Sequence, residues 1–166
     1  MTTFENSCKR IWQTILPAEK QEKIALLGIG SEFNGDDAAG VAFVRAVGDA
    51  FADSPHVLVL EGGLAPENFT GTLRRYQPAR VVLVDAAEMS QPPGAPALLD
   101  ADQIEAMHTT HTFPLNLLAR YLQAEIGCRV FILGIQPAQT DPFTPLSAAV
   151  QKAVEKLAET LLGEIG

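Results

Sequence analysis

The sequence is poor in cationic side chains and lacks a long apolar run. Its 12 lysines and arginines stand against 20 aspartates and glutamates, which gives a formal net charge of −8 at pH 7. Domains that bind nucleic acid concentrate positive charge in a patch or stripe, so we expect no nucleic-acid partner. No apolar stretch reaches the roughly 20 residues that a membrane-spanning helix needs, so we also expect no membrane insertion.

Cysteine is scarce as well. Cys8 and Cys128 are the two cysteines of the chain, and their spacing matches neither a metal-binding Cys-x-x-Cys pair nor a disulfide scaffold. The first 23 residues contain basic side chains but no continuous apolar segment, so they do not have the form of a secretory signal. We therefore expect a cytoplasmic protein whose thiols stay reduced.

Several catalytic motifs are missing. The chain has no G-x-S-x-G elbow, no H-E-x-x-H helix and no P-loop. No sequence motif therefore supports a serine hydrolase, a zincin or a P-loop nucleotidase. Residues 28–30 begin like the G-x-G-x-x-G turn of dinucleotide-binding proteins, but Phe33 stands where the third glycine is needed. A pyrophosphate there would also meet Asp36 and Asp37, which disfavours a dinucleotide-dependent oxidoreductase.

Apolar runs alternate with helix-periodic segments along most of the 166 residues, of which 47% are hydrophobic and 19% charged. This alternation predicts an α/β fold: a single-domain three-layer sandwich with a mostly parallel, twisted sheet of about five strands and helices on both faces. Strands are predicted at residues 24–29, 57–60, 81–85, 97–99 and 130–135. Helices are predicted at residues 41–50, 66–77, 100–107, 115–126 and 150–162.

An amphipathic leader helix precedes this pattern. Apolar residues recur at helical spacing from Phe4 to Leu16, and Pro17 ends the pattern. We therefore divide the chain into a leader at residues 1–23 and a main domain at residues 24–166. The apolar face of the leader is expected to pack on that domain rather than to dock a partner.

Two adjacent carboxylates follow the glycine-rich stretch at residues 28–35, where the first strand leads into a helix. An aspartate at a helix start commonly caps free N–H groups and interacts favourably with the helix dipole. Capping needs one side chain, so we expect one of the pair Asp36 and Asp37 to cap the helix. We assign Asp37 to the edge of the sheet.

Two further residues join Asp37 as candidate site residues. Asp85 ends an aliphatic strand, and His111 lies in a loop before a helix. Each has an ordinary structural explanation alone, but in a parallel sheet all three can open at the carboxyl edge. Together they form a plausible ligand set for a divalent metal, with His108 as a substitute. The two carboxylates alone could instead form an aspartic-protease-like pair; the histidine favours metal ligation.

Five stretches in a fixed order carry a family resemblance: residues 28–40, 61–68, 84–86, 110–116 and 133–137. The chain resembles the [NiFe]-hydrogenase maturation endopeptidases, and within them the branch that serves hydrogenase 3 of formate hydrogenlyase systems. It departs from the usual family residues at Ser31, where Asn is usual, and at Glu61, where Asp is usual.

The resemblance implies a function and roles for the candidate residues. Family members remove a carboxyl-terminal extension from the precursor of the hydrogenase large subunit after nickel insertion. By position, Asp37, Asp85 and His111 match the family's nickel-binding residues, so the metal is nickel that the substrate carries. We expect a monomer whose partner is the large-subunit precursor. The alternative is a chaperone that checks the precursor for nickel without cutting it.

Overall fold

The computed structural model describes residues 1–100 and 114–165. Within these ranges, no helix is both long and apolar enough to cross a membrane. The strands are β1 Ile24–Ile29, β2 Val57–Gly63, β3 Arg80–Ala86, β4 Pro96–Leu99 and β5 Arg129–Ile135. The helices are α1 Thr3–Ile15, α2 Ala39–Gly48, α3 Thr70–Tyr76, α4 Leu115–Ile126 and α5 Ala148–Ile165.

The described strands form one sheet in the order β2-β1-β3-β5-β4. β2, β1, β3 and β5 run parallel, and the short edge strand β4 pairs antiparallel with β5. Adjacent residues of β1 alternate between two cores: Leu26 packs in one with α1, α2 and α5, and Leu27 in the other with α3 and α4. The predicted fold class, a mostly parallel sheet between two helical layers, is confirmed.

The leader helix α1 packs into the main core. Trp12 is fully buried, its ring stacks on Phe43 of α2 at 5.6 Å between centroids, and its indole N–H donates to the Leu157 carbonyl of α5 at 2.9 Å. Thr2 and Glu5 form a capping box at the start of α1. The expected packing of the leader is confirmed, and the division at residue 23 stays a prediction.

Most elements lie within about three residues of their predicted bounds, and the main differences concern β2 and the segments before α2 and α3. β2 continues beyond residue 60 because the Gly30 N–H still donates to the Gly63 carbonyl at 2.9 Å, after a register shift between Gly28 and Ile29. The helix predicted at 66–77 divides into a 3₁₀ turn, Pro66–Phe69, and α3. A second 3₁₀ turn, Gly35–Ala38, precedes α2. The helix predicted at 100–107 lies outside the described residues.

We expect Trp12→Ala to lower the free energy of unfolding by about 3–5 kcal/mol, because it empties a fully buried aromatic site. Gln13→Ala, at the neighbouring exposed position of the same helix, should change it by less than about 0.5 kcal/mol. Denaturant titration measures both. A Trp12→Ala protein as stable as the wild type would show that the leader does not contribute to the core.

Candidate active site

A close contact between α2 and the sheet sets the position of the site. A Cβ atom at Gly28 would lie 2.4 Å from the Gly40 carbonyl oxygen, and one at Gly40 would lie 2.0 Å from the Val84 carbonyl oxygen. Glycine at both positions therefore lets the start of α2 rest directly on β1 and β3. This contact brings the turn Gly35–Ala38 to the carboxyl edge of the two central strands.

Asp37 is held at the end of β1. Its side chain is buried, and its Oδ2 accepts a hydrogen bond from the Ser31 N–H at 2.9 Å. Gly30 has a φ of +124°, and a Cβ there would lie 1.8 Å from the Asp37 carbonyl oxygen, so this loop requires glycine. The bond to Asp37 comes from the backbone of residue 31, so the side chain of Ser31 is not needed for it.

Asp85 lies at the end of the adjacent strand. It pairs in register with Gly134 of β5, and the preceding residue Val84 pairs with Gly28 of β1. Its side chain is also buried. The structure thus brings Asp37 and Asp85 to the carboxyl ends of neighbouring parallel strands, the arrangement at which α/β sheets form their sites.

The third predicted ligand cannot be located in the same way. His111 and its substitute His108 lie outside the described residues. Within residues 1–100 and 114–165, no group of three histidine, cysteine, aspartate or glutamate side chains could hold a metal ion. The roles of Asp37, Asp85 and His111 as ligands and catalytic groups stay predictions.

Asp36 does not cap the helix as the sequence suggested. Its carboxylate accepts hydrogen bonds from the backbone N–H groups of Ala138, Gln139 and Ser147 at 2.8, 3.2 and 2.7 Å, and from the Ser147 hydroxyl at 2.8 Å. α2 begins after Ala38, whose methyl group cannot accept a hydrogen bond. The expectation is corrected for this residue: Asp36 fixes the segment after β5 to the site.

Gln136 is a supporting residue to which sequence reasoning assigned no role. Its Oε1 accepts from the Met89 N–H at 2.7 Å and the Gln91 N–H at 3.3 Å, and its Nε2 donates to Glu88 Oε2 at 2.8 Å. It therefore holds the segment that follows Asp85. The signal available in the sequence was an amide side chain directly after the buried strand at 130–135.

An exposed charge network borders the site. The Arg45 guanidinium on α2 donates to Glu61 Oε1 at 2.6 Å and to Glu32 Oε2 at 2.7 Å. The hydrogen bond from Arg45 holds the pKa of Glu61 below its ordinary value. Because these side chains are about half exposed, the network adds little to stability. The Glu61 side chain on β2 thus reaches Arg45 on α2.

Neither cysteine is suited to act as a nucleophile. Cys8 is fully buried in α1, and burial raises the pKa of its thiol to about 11. Cys128 is buried before β5, at the edge of the sheet opposite Asp37, and burial raises the pKa of its thiol too. A thiol needs its thiolate form to attack, so a cysteine-protease mechanism is disfavoured.

This chain is similar in sequence and fold to known proteins. The model of a family described as hydrogenase maturation protease matches residues 41–164. The hydrogenase 3 maturation protease of Escherichia coli K12 is 37% identical over 140 residues, covering 83% of this chain and 88% of that protein. The crystal structure of a [NiFe] hydrogenase maturation protease, HycI, from Thermococcus kodakarensis superposes with a TM-score of 0.82 at 30% identity, covering 93% and 97% of the two chains. The solution structure of the endopeptidase HycI from Escherichia coli gives 0.75 at 36%, covering 87% and 92%.

We expect both thiols to resist alkylation in the folded protein at pH 7, because each is buried and its pKa is raised. Mass spectrometry after iodoacetamide treatment should show no adduct under native conditions. The same treatment in denaturant should add two. Rapid native labelling of Cys8 would contradict the packing of α1.

Replacing Asp36 by Asn should loosen the segment after β5, because the neutral amide loses charge-assisted hydrogen bonds that are worth about 1.5–3 kcal/mol. The measurement is amide hydrogen exchange at Ala138, Gln139 and Ser147, which should become faster. Asp141→Asn changes an exposed aspartate of the same segment and should leave these rates unaltered. Equal exchange in both variants would contradict the assigned role of Asp36.

Proposed function

The chain belongs to the hydrogenase maturation protease family, and on that premise we propose that it removes the carboxyl-terminal extension from the precursor of a [NiFe]-hydrogenase large subunit. The cut follows nickel insertion, so the nickel belongs to the substrate and serves as the recognition element. The Escherichia coli relative is named for hydrogenase 3, and we assign the precursor of this chain to the same class.

The juxtaposition of Asp37 and Asp85 is the observation that carries the proposal. Two buried carboxylates at the ends of adjacent strands have restricted orientations, so they can present oxygen ligands to a divalent ion without much loss of conformational entropy. Imidazole also suits nickel. In the proposal, the imidazole of His111 is the third nickel ligand. A precursor without nickel therefore has no metal ion for Asp37, Asp85 and His111 to bind.

Hydrolysis of the peptide bond needs a water molecule and an acceptor for its proton. The precursor's nickel polarises the water or the scissile carbonyl. Asp37 or Asp85 takes the proton as the water oxygen bonds to the carbonyl carbon. The C–N bond then breaks, and the proton passes to the departing amine. No protein nucleophile is required, which agrees with the inert environments of Cys8 and Cys128.

We expect Asp37→Asn and His111→Ala each to slow cleavage of nickel-loaded precursor by at least about 10²-fold, because each removes a proposed ligand or base. The mass of the large subunit, followed over time, reports loss of the terminal peptide. Asp53→Asn changes an exposed carboxylate before β2, at the opposite edge of the sheet, and should cleave at the wild-type rate.

The same assay contains the outcomes that oppose the proposal. Folded Asp37→Asn and His111→Ala proteins that trim at the wild-type rate would show that the site is misassigned. A wild-type protein that forms a stable complex with the nickel-loaded precursor and leaves its mass intact would be a nickel-checking chaperone. Precursor without nickel should stay uncut throughout.

A further inference from the structure

Large apolar side chains are exposed around the edge that carries Asp37 and Asp85. Phe33, Leu64 and Phe143 are 60%, 57% and 90% exposed. They lie on the loops that follow β1, β2 and β5, which are parallel strands, so all three loops emerge at the same edge of the sheet. Single exposed apolar residues need no explanation, but a concentration of them at one edge indicates an interaction surface.

Phe143 is exposed but firmly held. Its N–H donates to the Phe33 carbonyl at 2.6 Å, and the following residue, Thr144, accepts from the Gly35 N–H at 3.0 Å. The Asp36 carboxylate binds the same segment on both sides of Phe143, at residues 138–139 and at Ser147. Because this backbone is already ordered, a partner that covers the ring restricts only the side-chain rotamers and does not have to order the loop.

The backbone of Phe143 is unfavourable for an aromatic residue. Its φ of +59° lies in the left-handed region, which glycine and asparagine adopt readily and in which a residue with a bulky side chain is strained. With 90% of its surface exposed, the ring gains almost nothing from packing within the chain. Folding alone therefore does not account for phenylalanine at this position, whereas contact with another molecule does.

A small pocket connects this surface to the site. It has a volume of about 190 Å³, and its lining comprises Gly30, Ser31, Phe33, Val41, Gly63 and Leu64 together with the mutually paired side chains of Glu32, Arg45 and Glu61. The Ser31 N–H is the donor that holds Asp37. The pocket is smaller than the roughly 300–1,000 Å³ of small-molecule sites, so it suits one side chain of a longer ligand.

We propose that Phe33, Leu64 and Phe143 form an apolar rim that docks an apolar segment of the large-subunit precursor next to the bond to be cut. One apolar side chain of that segment enters the pocket between Phe33 and Leu64. Arg45 is already paired with two glutamates, so the rim offers apolar contact rather than charge. This inference rests on the proposed function, since it takes the precursor as the occupant.

The first test is steady-state cleavage of nickel-loaded precursor by Phe143→Asn, Phe33→Ser and Leu64→Ser. Each should raise KM about tenfold and change kcat less than about twofold, because the lost contact binds ground state and transition state alike. Phe143→Leu keeps an apolar side chain and should recover most of the affinity. Tyr121→Ser, an exposed change on α4 in the layer across the sheet from α2, should leave KM unchanged.

Thermal unfolding separates docking from folding. Phe143→Asn should melt at or above the wild-type temperature, since asparagine tolerates the left-handed conformation. A raised KM in a protein of undiminished stability therefore reports lost contact with the precursor. Unchanged KM values in all three rim variants, with normal cleavage by the wild type, would overturn the inference and leave the proposed function standing.

Direct binding keeps the two proposals distinguishable. Calorimetric titration of the precursor should show about tenfold weaker binding to Phe143→Asn than to the wild type. If the wild type binds but does not cut, the same loss would support the rim while the endopeptidase function fails. If instead the wild type is a dimer that Phe143→Asn dissociates, with unchanged affinity for the precursor, the surface pairs two copies and the inference is wrong.

Discussion

The contact between the start of α2 and the two central strands is the constraint on which the rest of the edge depends. Gly28 and Gly40 meet at distances that leave no room for a Cβ atom at either residue. A side chain at either position would push α2 away from β1 and β3, and the turn that carries Asp36 and Asp37 would move with it. Interiors are packed too densely to absorb such a shift without cost.

Asp36 and Asp37 have different roles because successive side chains of the turn Gly35–Ala38 point in different directions. Asp36 faces the segment after β5 and is surrounded by donors, which a buried carboxylate requires to offset its lost hydration. Asp37 faces the end of β1, where the Ser31 N–H orients it. One carboxylate is therefore used to hold the scaffold, and its neighbour remains at the edge with Asp85.

The carboxyl edge reverses the usual distribution of side chains. Charged carboxylates are buried there, while aromatic and aliphatic groups such as Phe33 and Phe143 face solvent. The left-handed backbone of the exposed Phe143 costs stability in an isolated protein. Both features of this edge fit the proposed binding of the large-subunit precursor, in which the precursor covers the apolar groups and brings a cation to the carboxylates.

Local periodicity in the sequence determined the elements of this fold. The unbroken apolar run at residues 24–29 predicted β1 at its observed bounds. The helical stripe that ends at Pro17 predicted α1 to within a residue or two. The alternation of strands and helices predicted the α/β class. The position of Asp85 at a strand end followed from the same pattern. Only the tertiary structure decided which partners these elements meet: that Asp36 binds Ser147 rather than its own helix, that Gln136 holds Met89, and that β2 continues to Gly63. Periodicity reports which face of a segment is apolar, whereas these contacts join residues up to 111 positions apart, and chain packing alone selects such pairs.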